Sequence, residues 1–328
     1  MIPPLSSLLE SLTKTRVLVI GDLMLDHYIW GDVYRISPEA PVPVIHVTRD
    51  TFTAGGAANV ALNLAGIGVQ TSIFGHYTPD EAGKRLARLL TDSGVEILQS
   101  QQFSDAPTIT KTRVIVRNQQ LCRIDREVAS QSYGININSG IETMLEEALS
   151  NVDAVILSDY AKGFVTQPLV DYLLNVSQQR SELLIAVDPK PSRHLSFRGA
   201  GLLTPNRSEA LELAGLSELR IDEPYPLDDV CQRIYENFRP RLLVVTLGAE
   251  GMAICREGKV VEHLPTEARE VFDVSGAGDT VIAILTAAIA SGATPAQAAR
   301  LANAAAGCVV AHMGTAPIAI EELRSRLF

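Results

Sequence analysis

The octapeptide DVSGAGDT, Asp273 to Thr280, sets two glycines and two aspartates at the mouth of an almost wholly apolar run, VIAILTAAIASG. A run apolar on nearly every side predicts a buried helix, whose N-terminus is then fixed by core packing. The unpaired N–H groups of that first turn, and the positive end of the helix dipole, face whatever lies above it. Gly276, Ala277 and Gly278 keep bulky side chains away, so an anion can reach those N–H groups. Asp279 adds a carboxylate at the same spot, able to accept a proton from a hydroxyl. An anion cradle beside a base is the equipment for phosphoryl transfer to an alcohol. The plain alternative is an ordinary helix start with Asp as a capping residue.

Three further stretches carry side chains suited to such a reaction. In TAGGAANVALNLAGIG, Gly55 and Gly56 precede a helix with Asn59 in its first turn. The glycines let a ligand approach the backbone while Asn59 hydrogen-bonds a polar substrate, or they simply permit close helix–strand packing. In GDLMLD a strand ends in Asp22, and Asp26 follows one turn later. Carboxylates so placed accept hydrogen bonds from sugar hydroxyls, although Asp is also common in strand-end turns. In TPNRSEA, Asn206 and Glu209 are three apart, on one helical face, where they could hold a hydrated Mg²⁺. The same pair is also the pattern of an Asn cap with Glu at the third helical position.

These residues need a scaffold, and the apolar pattern predicts one. RVLVIGD, TSIFGH, DAVILSD, LLIAVDP and LLVVTLG are short, nearly all apolar and rich in β-branched residues, as strands buried on both faces are. Helix-like stretches alternate with them at 56–66, 80–93, 138–150, 166–180, 206–214 and 226–238. The order predicts an α/β fold, a doubly wound, mostly parallel sheet with helices on both faces, over one domain spanning 1–328. Several strands end in Asp or Gly, at the carboxyl ends where such sheets bind ligands. Two segments break the rhythm. Residues 28–53 carry three prolines and β-rich flanks, and residues 108–126 set Lys111, Arg113, Ile115 and Arg117 against Thr112, Val114 and Val116 around an Asn-Gln-Gln turn. They are expected to form a small β-sheet lid in two parts.

Composition excludes several function classes. A net charge of −10 argues against a nucleic-acid or anionic-membrane partner, since both need a basic face. No stretch has the length of a membrane span, and the N-terminus has no long apolar signal-like core. Cys122, Cys231, Cys255 and Cys308 show no metal-ligand spacing, which suits reduced thiols in the cytoplasm. The first strand runs VLVIGDLMLD, without the G-x-G-x-x-G turn of a dinucleotide-dependent oxidoreductase.

GGAANVA near the front and DVSGAGDT near the back resemble, as a pair, the signatures of the ribokinase-like (PfkB) carbohydrate kinases, and the resemblance runs over essentially the whole chain. It implies an ATP- and Mg²⁺-dependent kinase with Asp279 as catalytic base and Gly276, Ala277 and Gly278 as anion hole. It maps the family's N-x-x-E pair onto Asn206 and Glu209. The nucleotide-binding turn falls on TLGAEG, hence Thr246, Gly248 and Gly251, and the late helix LANAAAG carries Asn303. A monovalent cation is an open addition.

Longer strings, RISPEAPVPV, TITKTRVIVRNQQLCRID and LSDYAKG, resemble the members of that family that phosphorylate D-glycero-D-manno-heptose 7-phosphate on O1 for ADP-heptose and lipopolysaccharide core synthesis. That resemblance implies a heptose 7-phosphate pocket around Asp22, Asp26, Gly55, Gly56 and Asn59, and a homodimer formed through the lid. Arg117, Lys162 and Lys190 are then the candidate cations for the 7-phosphate. Some of those relatives carry a second, nucleotidyltransferase part. No H-x-G-H-type motif occurs in these residues, so that activity is expected on a separate protein or outside this stretch. Another sugar kinase of the same fold, acting on a fructose phosphate, ribose or a nucleoside, and a non-catalytic sugar-binding relative are the alternatives.

Overall fold

The structure, a computed structural model, describes residues 5–98, 104–117, 119–220, 223–267, 273–311, 314 and 317–327. Its strands are β1 (Arg16–Gly21), β2 (Leu23–Ile36), β3 (Pro43–Gly56), β4 (Gln70–Phe74), β5 (Glu96–Ile97), β6 (Ile109–Val116), β7 (Gln119–Arg126), β8 (Ala154–Ser158), β9 (Leu184–Asp188), β10 (Leu202–Leu203), β11 (Leu242–Thr246), β12 (Met252–Arg256) and β13 (Lys259–Leu264). The helices are α1 (Leu5–Leu12), α2 (Ala57–Gly66), α3 (Glu81–Asp92), α4 (Ser139–Ser150), α5 (Gln167–Gln179), α6 (Arg207–Leu213), α7 (Leu227–Phe238), α8 (Ala277–Ala290), α9 (Pro295–Val309) and α10 (Ile320–Leu327). Among the described residues no helix is long and apolar enough to cross a membrane.

The apolar runs pair into one nine-stranded sheet in the order β13-β12-β11-β10-β9-β8-β1-β4-β5. It is parallel from β11 to β5, and β12 and β13 close it with antiparallel pairs. The continuous apolar character of β1 follows from its central place. Val17 and Val19 enter the core on one face and Leu18 and Ile20 the core on the other, so no position of that run is free to be polar. The six helix-like stretches of the sequence appear as α2 to α7 within a residue or so at each end. Helices α1 and α10 and strand β12 carry no expectation from the sequence.

A second sheet of four strands, in the order β3-β2-β6-β7, stands off the first. The chain enters it at Asp22, the single residue between β1 and β2, and returns through Gly56 into α2. At this crossing the Ala57 N–H donates to the Asp22 carbonyl at 3.1 Å. A Cβ on Gly56, which has φ +59°, would sit 2.5 Å from that carbonyl, so the crossing requires glycine.

The small sheet corrects the sequence reading in two respects. Strands β2 and β3 extend past the expected 28–53, so Asp26 and Gly55 lie on paired strands rather than in turns. The alternation expected along 108–126 also fails. Lys111, Thr112 and Arg113 are all half-buried and Val114 and Ile115 are both buried, along a strand paired on both edges, by β2 and by β7. Asn118, in the expected turn, lies outside the described residues.

Candidate active site

Helix α8 is buried on all sides from Asp279 to Ala288, which holds its first turn rigidly against the sheet. Gly276 takes the N-cap position in the left-handed conformation (φ 80°), and no side chain caps the helix. A Cβ on Gly278 would meet nothing within 4 Å, so the turn faces open space. Asp279 is 4% exposed. Asn59 Nδ2 donates to its Oδ2 at 2.7 Å, and the Tyr160 hydroxyl donates to its Oδ1. Burial pushes the Asp279 carboxyl up to about 6, against the lowering pull of the Tyr160 and Asn59 hydrogen bonds. A carboxylate tuned into that range is a competent base near neutral pH.

Asn59 is held by its own helix. One turn on, Asn63 Nδ2 donates to the Asn59 carbonyl at 2.9 Å, while Asn63 Oδ1 accepts from the Thr280 hydroxyl at 3.0 Å and the Ile318 N–H at 3.2 Å. Fully buried Asn63 thus ties α2 to α8 and to the segment before α10. The sequence reading missed it, though a second Asn inside an apolar helix was a visible signal.

Asp22 has a different job from the one expected. Its carboxylate accepts three backbone N–H groups, from Tyr160 at 2.8 Å, Lys162 at 3.0 Å and Phe164 at 2.9 Å. Those bonds shape the loop that presents Tyr160, leaving little of the carboxylate for a sugar. The space around Gly55 is likewise filled from within, since a Cβ there would lie 2.4 Å from Asp26 Oδ2. Close packing, rather than ligand approach, accounts for both glycines.

The small sheet brings cations to the other side of Asp279. Asp26, 4% exposed, forms an ion pair with Arg113. Its neighbour in the parallel β2–β6 register is Lys111, whose ammonium lies 6.0 Å from the centre of the Tyr160 ring. Burial pulls the Lys111 pKa down, Asp26 raises it, and the like charges of Lys162, Arg113 and Arg123 lower it further. Lys162 pairs with Glu127 at 2.6 Å. Arg117, by contrast, is exposed in the hairpin turn with φ 49°, off the strand that was to aim it. Lys111 and Arg113, on the strand itself, are the cations beside Tyr160 and Asp26.

Toward β11 the site opens into a mostly apolar cavity of about 720 Å³. Thr246, Gly248, Gly251 and Asn303 line it together with Ala277, Gly278 and Val281, so the expected nucleotide residues do converge. A smaller chamber of about 230 Å³ adjoins it and shares Asn206, Thr246 and Gly278. Its walls include Asp159, Asp188, Glu209 and Asp279 against one cation, Lys190. Lys190 is bonded to Glu209 at 3.0 Å, which puts it on the nucleotide side rather than with the other cations. The carboxylates crowd one another. Burial, then the charges of Glu209 and Asp279, hold Asp188 well above the carboxylate range, and burial with Asp22 pushes Asp159 up to about 7.

The expected metal pair forms a capping box. Asn206 Oδ1 accepts from the Ser208 and Glu209 N–H groups, and Glu209 accepts from the Asn206 N–H. Asn206 is therefore committed to the start of α6 and is not a free ligand. Among the described residues no three acidic, His or Cys side chains converge on one metal position. The chamber still fits Mg²⁺, which keeps several waters and needs only one or two carboxylates beside the phosphates. Asp188 is the oxygen donor that suits it, whereas Glu209 spends one oxygen on Lys190 and the other on the Asn206 N–H.

An uncapped helix N-terminus, a buried carboxylate and an apolar slot beside them are parts that a phosphotransferase needs, and comparison with known proteins agrees on the class. Residues 14–322 match the pfkB family carbohydrate kinase, and the chain belongs to that family. It is 42% identical over 316 residues to bifunctional protein HldE of Magnetococcus marinus, covering 96% of this chain and 64% of that protein. To HldE of Geobacter sulfurreducens it is 42% identical over 308 residues, covering 94% and 62%. The chain thus spans less than two thirds of the length of these relatives. The fold is ribokinase-like. Ribokinase of Arabidopsis thaliana, solved with ribose and ATP, superposes with a TM-score of 0.72 at 20% identity, over 95% of this chain and 98% of that one. Phosphofructokinase-2 of Escherichia coli, solved with potassium, gives 0.72 at 18% identity, over 95% and 97%.

Proposed function

We propose that this carbohydrate kinase transfers the γ-phosphoryl group of ATP to the anomeric O1 of D-glycero-D-manno-heptose 7-phosphate, giving the 1,7-bisphosphate for ADP-heptose and lipopolysaccharide core synthesis. The observation that carries the reading is the position of Asp279, buried between an apolar cavity of nucleotide size and the cations Lys111 and Arg113. ATP occupies the 720 Å³ cavity, with its terminal phosphate at the N–H groups of Gly278 and Asp279. The acceptor O1 approaches from the small-sheet side, and its proton passes to Asp279 as the phosphoryl group moves in line. Little basicity is demanded, because a loose transition state leaves proton transfer late. Bound Mg²⁺ would supply charge neutralisation on the phosphates, and Asp188 is the residue that would hold it. The α8 N-terminus, fixed by its buried helix, needs no reorganisation as charge develops.

A phosphorylated substrate is favoured by Lys111, a half-buried ammonium among like charges that a phosphate would relieve. The small sheet also exposes Tyr34, Ile36, Val47 and Ile124, a surface suited to a homodimer through the lid. The reaction belongs in the cytoplasm, where ATP is available. The test is ATP turnover on both anomers of heptose 7-phosphate, with fructose 6-phosphate and ribose as controls. Faster turnover of either control reassigns the substrate within the family.

A further inference from the structure

We propose that Tyr160 is a built-in stand-in for the acceptor hydroxyl: its phenol occupies the base until the sugar displaces it, and so denies that base to water while only nucleotide is bound. The proposal rests on Asp279 being the base.

Both oxygens of Asp279 are taken, Oδ2 by Asn59 and Oδ1 by Tyr160. An acceptor alcohol must hydrogen-bond Asp279 before transfer, and it competes most directly with the group that offers the same O–H, the phenol on Oδ1. Asn59 is 2% exposed on a packed helix and is tied through Asn63 to α8. Tyr160 sits instead on a loop, partly exposed, and lines the same 230 Å³ chamber as the base. It is the partner able to move.

Its chemistry matches the role. A phenol O–H donates to a carboxylate just as the sugar hydroxyl does. Burial, with the charges of Asp279 and Asp188, keeps the phenol protonated throughout the working range. The loop is built to present it. Asp22 gathers the N–H groups of residues 160, 162 and 164, while Ala161 and Gly163 take positive φ of 56° and 115°. The backbone is held by these bonds, and the phenol lies on the chamber with Lys111 beside its ring at 6.0 Å. Uncapped, Asp279 would accept a water proton. The water oxygen would bond to the γ-phosphorus, the bond to the ADP oxygen would break, and the proton would pass on to solvent. That is the wasteful reaction the phenol suppresses.

The experiment uses Tyr160→Phe, which keeps the ring and removes the donor. ATP hydrolysis without sugar should rise about tenfold or more, part of the ~10²–10⁴ that a general base contributes. The KM for heptose 7-phosphate should fall, because nothing has to be displaced. The acid limb of kcat/KM for the sugar should move to higher pH, since the phenol bond lowers the Asp279 pKa. The groups facing that carboxyl, Asp26, Lys111, Asp188 and Asn59, are unchanged in the variant. Unchanged hydrolysis with an unmoved limb would leave Tyr160 a packing residue and overturn the proposal. So would loss of sugar phosphorylation with no gain in hydrolysis, which would make the phenol part of the transfer step. A second measurement is independent of turnover. In protein labelled with 3-fluorotyrosine, the ¹⁹F signal lost in Tyr160→Phe should shift when heptose 7-phosphate is added to unmutated protein without nucleotide. Calorimetry on the same sample establishes that the sugar binds, so a bound sugar with an unmoved signal sinks the proposal alone. Failure of the base assignment appears separately, as activity surviving in Asp279→Asn.

Discussion

The nine-stranded sheet and the four-stranded sheet approach Asp279 from opposite sides and bring different physics to it. Along β1, every residue after Arg16 is buried, and polar groups are confined to the ends of the strands. The charges there are mostly carboxylates, Asp159, Asp188 and Glu209, with Lys190 held by Glu209. The small sheet instead keeps Lys111, Arg113 and Asp26 half-buried or buried along its strands, paired or flanked by opposite charge. One sheet fixes a helix N-terminus and the Asp279 carboxyl in a rigid core. The other supplies cations on a thin layer with little core of its own, where Met24, Ala106, Ile109 and Tyr133 form the only buried apolar cluster identified among the described residues apart from the two main cores. Rigid preorganisation and adjustable charge are separated, which suits a site that must first admit a sugar and then hold it.

The comparison can be broken at several points, starting with the largest effect. Asp279→Asn should lower kcat by about 10²–10⁴ while nucleotide and sugar affinity stay within a few-fold. Near-normal turnover in the folded variant would remove the base from the rigid side. Lys111→Ala should raise the KM for heptose 7-phosphate about 10- to 100-fold, the 1.5–3 kcal/mol of a hydrogen bond to a charged group, and leave the KM for ATP unchanged. Arg117→Ala, at the exposed turn, should alter neither. Equal effects of the two substitutions would return the phosphate to the hairpin tip.

The pH profile is the next test. Asp279 accepts a proton only when ionised, so kcat/KM should fall about tenfold per unit below its value of about 6 and level off above it. Asp159 acts on stability with the opposite sense of pH. Its folded value of about 7 lies above the unfolded value of 3.8, so the folded state binds the extra proton. Its contribution is full below pH 3.8 and is lost as pH rises through 7. Asp159→Asn keeps the oxygen that accepts from Ala161 N–H and removes the charge. It should therefore melt higher than the unmodified protein at pH 8, by about 2–5 °C, with the gap closing toward pH 4. A gap that is equal at both pH values would mean the carboxyl is not the acidic strain in the chamber.

The smallest effect separates a cap from a metal ligand. Asn206→Ala should cost about 1 kcal/mol of stability through the lost capping box. The Mg²⁺ concentration for half-maximal rate should not change, because the Asn206 oxygen is spent on Ser208 and Glu209. A shifted Mg²⁺ dependence would restore it as a metal contact.

Much of this was legible without coordinates. The main sheet announces itself because strands buried on both faces must be apolar at every position, and α8 does so because a wholly buried helix has no polar face. Glycines at 276 and 278 beside an Asp single out the turn at the edge of that run, although an ordinary helix start with a capping Asp has the same residues. What tertiary structure decided is which charged side chain meets which. Asp22 could have faced a sugar, yet three amides of a loop about 140 residues away in sequence claim it. Arg117 and Lys111 look alike in an alternating strand, yet Arg117 falls past the end of β6 in an exposed turn with positive φ, while Lys111 is paired opposite Asp26 within it. Asn206 and Glu209 read equally as cap or ligand, because the spacing that aligns two side chains on a helix face is also the spacing of a capping box. Tyr160 carried no local signal, since its meaning lies in a contact with Asp279 across 119 residues. Local sequence dictates burial and periodicity, whereas the partner of a polar group is set by whichever distant segment the fold delivers to it.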